Sequence, residues 1–315
     1  MDIYRLQYPD HTTTGLNECY SLAIGFFDGL HKGHQAVIRA AQIKAAELAI
    51  RSAVMTFDPH PSHLFGGGKN KVSYITQFPE KVRLLEEMGV DTLFVVHFDW
   101  ELASLTPEQF VDVFIKGLQV KHVTGGFDFT FGSKGVGTME MMDSLSGGEY
   151  GTTVIGKVSD RAEKVSSTRI RKLLENGNVE ETVQLLGRPF RTIGTVGHGD
   201  KRGRLLGFPT ANLVPEPDTL LPANGVYAVR FTFDGRTFDG VCNVGVKPTF
   251  HDPDQSRPSV EVHVLDFDGD LYGKEAAVDW IAHIRGERKF DSVDALIQQI
   301  GMDKETAREL LAKQG

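Results

Sequence analysis

Two patterns of apolar and polar positions divide the 315-residue chain. In residues 1–186, short apolar and β-branched runs alternate with longer segments whose apolar residues recur every three or four positions. The short runs are typical of buried strands and the longer segments of amphipathic helices. The predicted strands are SLAIGFFD, SAVMTFD, TLFVVHF, VKHVTGG and TTVIGKV. The predicted helices between them are HQAVIRAAQIKAAELA, FPEKVRLLEEMG and TPEQFVDVFIKGL.

Strands that alternate with helices of this length predict parallel βαβ units, and therefore a doubly wound, Rossmann-like parallel sheet. Two more helices, in SSTRIRKLLENG and VEETVQLLG, are expected to close this part of the chain. Ligands of such sheets bind beyond the carboxyl ends of the strands, so we expect the chemistry in the loops that follow the strands.

After Arg188 the apolar positions alternate with a period of two. The alternating segments are RTIGTVGHG, GVYAVRFTFDG, RTFDGVCNVGV, SVEVHVLDFDG and EAAVDWIAHIR. Five or six antiparallel strands without long helices predict a small closed β-barrel. One amphipathic helix, from DSVDALIQQI onward, follows the barrel. We therefore predict two domains, residues 1–186 and residues 187–315.

Composition narrows the classes of function. A net charge of −8 argues against broad nucleic-acid binding, which requires a basic surface, but allows a local basic pocket for an anionic ligand. The apolar runs are too short to span a bilayer, and MDIYRLQYPDHTTTG lacks the pattern of a signal peptide. Cys19 and Cys242 are far apart, which argues against a disulfide scaffold or a structural zinc site. These features predict a cytoplasmic globular protein and leave its oligomeric state open.

The turn GFFDGLHKGH, after the first predicted strand, contains the first candidate site. Gly25, Gly29 and Gly33 would let the backbone approach a ligand closely. His31 and His34 stand where a helix begins, and a helix N-terminus attracts phosphate. Their imidazoles would stabilise the negative charge that develops on a phosphate during its transfer.

A metal site is the alternative for these histidines. Asp58, His60 and His63 follow the next predicted strand and would complete a cluster with His31 and His34. The spacing of these residues matches no known zinc pattern, so phosphate binding is the preferred hypothesis.

Two further stretches of the first half have both a structural and a functional interpretation. In KVSSTRIRKLL, Ser167 or Thr168 would simply cap a helix, with Arg171 on its solvated face. Alternatively, the three residues would bind a triphosphate. In VTGGFDFTFG the phenylalanines are expected to pack, whereas Asp128 between them would hydrogen-bond a sugar or a base.

The second half contains the glycine-rich stretch GHGDKRGRLLGFPTAN. The chain has neither a Walker loop nor a GxGxxG fingerprint. Glycines with Lys201, Arg202 and Arg204 nevertheless suit a flap that folds over phosphates. Thr210 and Asn212 supply hard oxygen ligands for magnesium that is held mainly by nucleotide phosphates. The structural alternative for PTAN is a proline turn with an Asx hydrogen bond.

Glu261 is the candidate general base. Val260 and Val262 flank it, so Glu261 and His263 share the opposite face of their predicted strand. If that face points into the barrel, a buried carboxylate is costly unless it has a function, such as activating a hydroxyl. If that face points outward, Glu261 is a solvated side chain. The pattern alone does not decide between the two.

Together these motifs resemble those of the bacterial bifunctional riboflavin kinase/FAD synthetase family over nearly the whole chain. GFFDGLHKGH resembles the HxGH motif of nucleotidyltransferases in its flavin-specific form, and SSTRIR resembles their second phosphate motif. TFDPHP and GFDFTFG are similar to the flavin-side and nucleotide-side loops of the family. The resemblance to the flavokinase part rests on GDKRGRLLGFPTAN, GVYAV, CNVGVKPTF, VEVHVLDF, LYGK and IRGERKFDS.

The resemblance implies two reactions with ATP. The barrel would transfer the γ-phosphate to the 5′-hydroxyl of riboflavin, with Thr210 and Asn212 positioning Mg²⁺ and Glu261 taking the hydroxyl proton. The α/β domain would then transfer AMP from a second ATP to FMN, giving FAD and pyrophosphate. The residues implied in charge stabilisation there are His31, His34, Ser167, Thr168 and Arg171. The other residues implied in binding are Gly25, Phe26, Asp28, Gly33, Asp128, Lys201, Gly203, Arg204, Pro209 and Arg285.

Two positions depart from the family's usual residues. Lys164 stands where some relatives have arginine, and Asp128 stands where members often have asparagine. Because lysine holds phosphate only as a point charge, triphosphate contacts at Lys164 are expected to be weaker. Elsewhere, HDPDQSRP, residues 251–258, is expected to form a flap over the isoalloxazine ring, and Arg285 to contact the flavin from the far side of the barrel.

Two other functions remain open. In the first, only one module is active and the other is a relic that binds flavin. In the second, the chain is a regulatory protein that binds flavin and responds to it. The complete set of phosphate residues in the first half disfavours a relic. The presence of Glu261 and PTAN disfavours a pure binder, and the negative charge argues against a DNA partner.

Overall fold

The computed structural model describes residues 1–9, 18–65, 72–198, 207–246 and 258–314. The chain forms two compact units. The first unit is Met1–Ser73 with Phe78–Ser166, and the second is Tyr74–Gln77 with Ser167–Gly315. Within the described ranges, no helix is both long and apolar enough to cross a membrane.

A six-stranded parallel sheet forms the centre of the first unit, with the spatial order β1-β4-β3-β2-β5-β6. Five of its strands agree with the prediction. The edge strand β1 was not predicted, because only Leu6 of its five residues is buried and its sequence is mostly polar. The strands are β1 (Asp2–Leu6), β2 (Tyr20–Ile24), β3 (Arg51–Asp58), β4 (Thr92–His97), β5 (Val120–Gly126) and β6 (Gly151–Ile155).

Apolar side chains cover both faces of this sheet. Leu22 and Ile24 of β2 belong to one core, whereas Ala23 between them belongs to the other. Both faces of a doubly wound parallel sheet are buried in this way, which confirms the predicted fold class. A short hairpin of β7 (Ser159–Asp160) and β8 (Glu163–Lys164) follows β6. The helices are α1 (Lys32–Leu48), α2 (Pro61–Phe65), α3 (Phe78–Glu87), α4 (Trp100–Ser104), α5 (Pro107–Phe110) and α6 (Met139–Ser144), and α5 continues as a π-helix at Val111–Lys116.

The sheet reverses its winding between β2 and β5. The chain passes from β2 through α1 to β3 on one side, whereas β5 pairs with β2 on the other. Ile24, the last residue of β2, therefore lies between Met55 of β3 and Gly125 of β5. Such a reversal opens a crevice at the carboxyl ends of the strands, which is the usual ligand site of this fold. GFFDGLHKGH and GFDFTFG both begin at this edge.

A closed six-stranded antiparallel barrel forms the centre of the second unit, as predicted, with the order β10-β13-β12-β11-β14-β9. One of its strands, β10, was not predicted, because it starts within the PTAN stretch that was interpreted as a turn or a phosphate contact. The elements are α7 (Ser167–Glu175), α8 (Val179–Leu186), β9 (Phe190–Gly197), β10 (Ala211–Pro215), β11 (Gly225–Phe233), β12 (Arg236–Val246), β13 (Pro258–Val264), β14 (Glu275–Arg285) and α9 (Val293–Ala312).

Alternation along the strands fills the barrel with apolar side chains. Val260 and Val262 of β13 are 1% and 0% exposed, and they lie opposite the buried Val244 and Cys242 of β12. On the outside, α9 packs Ala307 and Leu311 against apolar residues of β11, β12 and β14. The hairpin between β11 and β12 turns at Asp234 and Gly235, whose φ angles of 47° and 71° suit a tight two-residue turn.

Helices α7 and α8 pack with the barrel. The Ala223 N–H donates to the Leu174 carbonyl of α7 at 2.8 Å, and the His283 N–H of β14 donates to Glu180 Oε1 of α8 at 2.9 Å. The prediction placed these two helices in the α/β half. The compact units therefore divide after Ser166, and a boundary between functional modules at residue 186 stays a prediction.

The segment Tyr74–Gln77 belongs to the second unit although the sequence around it belongs to the first. Tyr74 donates its N–H to the Asp218 carbonyl at 2.7 Å and accepts from the Leu220 N–H at 2.9 Å. The Gln77 side chain pairs with the Ile193 peptide as a neighbouring strand would. Its Oε1 accepts from the Ile193 N–H at 2.9 Å, and its Nε2 donates to the Ile193 carbonyl at 3.2 Å.

Candidate active sites

The first candidate site is the turn between β2 and α1. His31 caps α1: its φ and ψ are −67° and 170°, and its Nδ1 accepts a hydrogen bond from the His34 N–H at 3.2 Å. Because Nδ1 accepts, the ring proton of a neutral His31 is on Nε2. Phe27 and Leu30 in this turn have φ of 51° and 43°, a strained conformation that clusters at functional sites.

His34 lies against His31 in the first turn of α1. Their ring centroids are 3.6 Å apart and their planes differ by 19°. Burial lowers the pKa of His34 well below its usual value, and the positive charges of His31, Lys81 and Lys164 lower it further. The buried Nδ1 of His34 has no hydrogen-bond partner among the described residues. A neutral imidazole with such a nitrogen is suited to bind a polar ligand.

Two glycines of this turn leave no room for a side chain. A Cβ on Gly33 would lie 3.1 Å from two ring atoms of His31, and a Cβ on Gly25 would lie 3.1 Å from the ring of Phe27. Asp28 of the same turn is buried, with 5% of its surface exposed. The structure therefore brings the predicted residues Gly25, Asp28, His31, Gly33 and His34 together in one turn.

An aromatic cavity of about 590 Å³ lies next to the turn. Phe26 belongs to the turn and to the cavity wall, and its ring centroid is 5.2 Å from those of Phe57 and His60. Phe129 and Phe131, from the loop after β5, form another part of the wall. The volume is typical of small-molecule sites, and aromatic walls suit a planar ring system. From the sequence, Phe129 and Phe131 were expected only to pack in the core.

Asp128 and Lys164 form an ion pair. Lys164 is in β8, and its ammonium also lies 4.6 Å from the ring centroid of Phe127. The side chains of Asp128 and Lys164 are 57% and 37% exposed. Asp128 and Lys164, which were considered separately in the sequence, are therefore partners in space.

The other predicted phosphate residues of the first half lie in the second unit. Ser167 is the first residue of α7, Thr168 is exposed, and Arg171 is half-buried. Their contact with a triphosphate stays a prediction.

The metal alternative finds no support in the described part of the chain. No three His, Cys, Asp or Glu side chains gather there in a way that would hold a metal ion. The His60 Nδ1 accepts from the Ser62 N–H at 3.2 Å, and the His63 Nε2 lies 3.3 Å from the Val72 carbonyl oxygen. Cys19 and Cys242 are free thiols.

The second candidate site is a row of polar residues on three neighbouring strands of the barrel. Glu261 on β13 lies opposite Asn212 on β10 and opposite Asn243 on β12. Because Val260 and Val262 point into the barrel, these three residues face outward. The structure thereby decides the alternative that the sequence left open. Glu261 is half-buried on the outer face between two amide side chains, not inside the barrel. The cost of a carboxylate inside the barrel is therefore no argument for its function, and its place as general base stays a prediction that rests on the family resemblance.

A cavity of about 430 Å³ lies at the start of β10. Pro209, Thr210 and residues 267–272 are among those that line it. His263, which shares the outer face with Glu261, places its Nδ1 2.8 Å from the Pro209 carbonyl oxygen. A carbonyl oxygen only accepts, so Nδ1 donates and holds the PTAN segment against β13. The predicted magnesium and nucleotide residues Pro209 and Thr210 thus lie beside a cavity large enough for a small molecule.

Arg285 is bound to α9. Its Nε donates to Asp303 Oδ1 at 3.0 Å and its Nη2 to Oδ2 at 2.7 Å, and Asp303 is buried. The predicted flavin contact of Arg285 stays a prediction. The predicted residues that lie outside the described ranges are Lys201, Arg202, Gly203, Arg204 and 251–257 of the expected flap.

Comparison with known proteins identifies both halves of the chain. The FAD synthetase family model matches residues 14–169, and the riboflavin kinase family model matches residues 186–311. A Bacillus subtilis protein described as a bifunctional riboflavin kinase/FMN adenylyltransferase is 43% identical over 307 residues, covering 98% of this chain and 97% of that protein. This chain belongs to the bifunctional riboflavin kinase/FMN adenylyltransferase family.

A second relative has the same description, and a solved structure has the same fold over nearly the whole chain. A protein from Escherichia coli (strain K12) with the same description is 39% identical, with 91% of each chain covered. A solved Streptococcus pneumoniae structure, described as a macrolide-efflux protein, is 35% identical with a TM-score of 0.86, and covers 98% of this chain and 99% of that one. The resemblance seen in the sequence is confirmed. So is the predicted enzyme class, a transferase with a kinase domain and a nucleotidyltransferase domain.

Two polar residues near these sites were not predicted. Asn243 lies next to Glu261. The sequence signal for Asn243 was that a polar residue stands between the apolar residues Cys242 and Val244. Lys81 of α3 is 6% exposed and donates to the Phe26 carbonyl. Its signal was its place on the apolar stripe of α3, three residues after Phe78 and four before Leu85.

Proposed function

We propose that residues 1–186 transfer AMP to FMN and that residues 187–315 phosphorylate riboflavin, so that the chain makes FAD in two steps with two molecules of ATP. The order of the two family models along the chain supports this division. The observation on which it rests is that each unit has a cavity of its own beside residues suited to one of the reactions. The proposed partners are ATP, riboflavin, FMN and FAD. A cytoplasmic location is also proposed, because both cysteines are free thiols.

In the first unit, the aromatic cavity is proposed to bind the isoalloxazine ring of FMN. Its walls are apolar and aromatic, and a planar tricyclic ring would bury most of its surface there. Because Phe26 is part of both the cavity and the turn after β2, a flavin in the cavity would direct its phosphate toward the start of α1.

His31 and His34 are proposed to stabilise the α-phosphate of ATP. An oxygen of the FMN phosphate attacks this phosphorus, the bond to the β-phosphate oxygen breaks, and pyrophosphate leaves. The attacking phosphate is already anionic, so no general base is needed and the site has to stabilise negative charge. The Nε2–H of His31 and the N–H of a neutral His34 supply donors at the helix N-terminus. The other residues proposed for phosphate and nucleotide binding are Gly25, Phe26, Asp28, Gly33, Asp128, Ser167, Thr168 and Arg171.

In the barrel, Glu261 is proposed to accept the proton of the riboflavin 5′-hydroxyl. The hydroxyl oxygen forms a bond to the γ-phosphorus, the bond to the β-phosphate oxygen breaks, and ADP leaves. Asn212 lies opposite Glu261, and Thr210 lines the cavity at the start of β10. A hydroxyl and an amide oxygen are hard donors, which fit Mg²⁺. These two residues would hold the ion, which would neutralise charge on the phosphates. Lys201, Gly203, Arg204 and Pro209 are proposed to bind ATP, and Arg285 the flavin.

Product analysis of two variants tests the division. Glu261→Gln keeps the shape of the side chain but removes the base, so we expect no FMN from riboflavin and normal conversion of added FMN to FAD. His31→Ala should make FMN that accumulates without FAD. Each protein is incubated with ATP, Mg²⁺ and either riboflavin or FMN, and the flavins are separated by chromatography. Loss of both reactions through one substitution in a folded protein would refute the division between units. If the wild-type protein formed neither product, the remaining interpretation would be a protein that binds flavin without converting it.

A further inference from the structure

The ammonium group of Lys81 is almost completely buried in the first unit. Only 6% of the residue is exposed, although it belongs to a surface helix, α3. Moving a lysine charge out of water is costly unless hydrogen bonds or opposite charges compensate. A buried lysine therefore indicates a specific set of contacts.

Those contacts converge on one peptide group. Lys81 Nζ donates to the Phe26 carbonyl at 3.0 Å and to Thr56 Oγ1 at 3.1 Å. Thr56 Oγ1 in turn donates to the same Phe26 carbonyl at 2.9 Å. Both lone pairs of this carbonyl are therefore occupied, and β2, β3 and α3 are tied together at the start of the turn. Burial lowers the pKa of Lys81, whereas the carboxylates of Asp28 and Asp58 act against this shift.

The Phe26 peptide is the point from which two parts of the site diverge. The ring of Phe26 forms a wall of the aromatic cavity. The next residue, Phe27, begins the strained turn in which Phe27 and Leu30 both have positive φ. Positive φ is strained for residues with side chains, so the turn needs fixed hydrogen bonds to keep its shape. His31 and the N-terminus of α1 follow directly.

We propose that Lys81 is a positioning residue for adenylyl transfer. By holding the Phe26 peptide it fixes the flavin wall and the turn that presents His31 and His34, so that the acceptor and the phosphate donors keep one geometry. This inference rests on the proposed function, which places adenylyl transfer at this edge of the sheet.

Lys81 also has an electrostatic effect on His34. The charged groups that act on His34 are His31 on α1, Lys81 on α3 and Lys164 on β8, and all three lower its pKa. Asp28 and Asp58 act on Lys81 itself. Removing the Lys81 charge should therefore raise the pKa of His34, which a purely structural contribution of Lys81 would not do.

Lys81→Met tests the proposal, because methionine has a similar length and no donor. We expect the kcat of FMN adenylylation to fall about 100-fold, as for a misplacement of about 1 Å, with KM for FMN changed less than about 3-fold. Riboflavin phosphorylation by the same polypeptide should stay at the wild-type rate. The matched control is Lys44→Met, which removes a partly exposed lysine of α1 and should leave both reactions unchanged.

A second readout is the titration of His34 by NMR. Its Cε1–H resonance, assigned by its absence in His34→Gln, should shift at a higher pH in Lys81→Met than in the wild type. Thr56→Val separates the two effects, because it removes both hydrogen bonds of Thr56 Oγ1 but keeps the charge of Lys81 and its direct bond to the Phe26 carbonyl. Thr56→Val should lower kcat about 10-fold without changing the His34 titration. If Lys81→Met does not fold, the kcat of Thr56→Val tests the positioning by itself.

The outcomes distinguish this inference from the proposed function. If His31→Ala abolishes adenylylation but Lys81→Met and Thr56→Val keep wild-type kcat and titration, Lys81 is not a positioning residue and the site assignment stands. If His31→Ala keeps adenylylation, the site assignment itself is wrong.

Discussion

His34 shows how burial, together with positively charged neighbours, sets the protonation state of one residue. A histidine in water is half protonated near pH 6.5. In this turn the ring is buried, stacked on a second imidazole and close to two lysines, so its neutral form is favoured. A neutral donor can approach a nucleotide that arrives with its own cations, whereas a fixed charge would be costly in the free protein.

We predict that His34→Gln makes the stability of the protein less dependent on pH. In the unfolded chain His34 takes up a proton near pH 6.5, whereas in the folded protein it does so only at a lower pH. Between these two values the unfolded state binds more protons, so the free energy of unfolding falls as the pH falls, by at most about 1.4 kcal/mol per pH unit from this group.

Urea unfolding of both proteins at about pH 7.5 and about pH 5.5 measures this effect. The wild type should lose more stability than His34→Gln over this interval, because all other groups are common to the two proteins. Equal losses would show that His34 titrates alike in the folded and unfolded chains.

Asp128 and Lys164 illustrate a limit of residue-by-residue comparison. In the sequence, Asp128 was expected to bind the nucleotide and Lys164 was expected to hold phosphate more weakly than arginine would. In the structure the two side chains form an ion pair at the rim of the first unit. Since both side chains are partly exposed, the ion pair contributes little to the stability of the fold. Its effect is to hold the two charged groups at a fixed place.

At the scale of elements, α9 is attached to the barrel by a polar cluster as well as by apolar packing. Asp303 accepts hydrogen bonds from Nε and Nη2 of Arg285 and a further one from Gln299 Nε2 at 2.6 Å. Gln299 and Asp303 are buried on the face of α9 that meets the barrel. This attachment accounts for the position of Arg285, which the motif IRGERKF alone did not indicate.

We predict that Asp303→Ala destabilises the barrel unit by about 3 kcal/mol, the low end of the range for breaking a buried pair, because Arg285 keeps 20% exposure. Equilibrium unfolding followed by the fluorescence of Trp280, which is fully buried in the barrel, measures the change. The control is Asp266→Ala. This substitution breaks an exposed ion pair between Asp266 and Arg308 of α9, and it should leave the stability unchanged. Equal effects of the two substitutions would mean that burial of the Arg285 pair does not matter.

At the scale of the whole molecule, each unit has a cavity of its own, and we expect FMN to be a free intermediate. Among the described residues, those that line the 430 Å³ cavity belong to the second unit and those that line the 590 Å³ cavity belong to the first. If each unit performs one step, a molecule of FMN made by one chain can be used by another.

Mixing two inactive variants tests this expectation. Glu261→Gln and His31→Ala should each fail to convert riboflavin to FAD, and an equimolar mixture should restore FAD formation at a rate that rises with protein concentration. Chromatography of the flavins over time provides the measurement. No restoration, with each variant still performing its remaining step, would show that FMN passes only within one chain.

The sequence predicted the features that depend on local pattern. The period of apolar residues gave the parallel sheet and the barrel, and the glycines and histidines after β2 marked the edge where the winding reverses. Features that depend on distant partners could not be predicted. Lys81 looks like one more lysine of an amphipathic helix until Phe26 and Thr56 lie beside it. Helices α7 and α8 are recognisable, but no pattern states which unit they pack against.

The side chain of Gln77 restricts how these two activities can be separated in evolution. The barrel draws one of its partners from a point in the sequence more than a hundred residues before β9, since Gln77 pairs with both polar groups of the Ile193 peptide. A gene cut at a single place cannot release a barrel with this contact intact. A single-function kinase descended from such a chain would have to supply another partner for Ile193, whereas a duplicated and partly silenced copy would not. One activity is therefore lost more easily by substitution of its site residues than by deletion of its part of the chain.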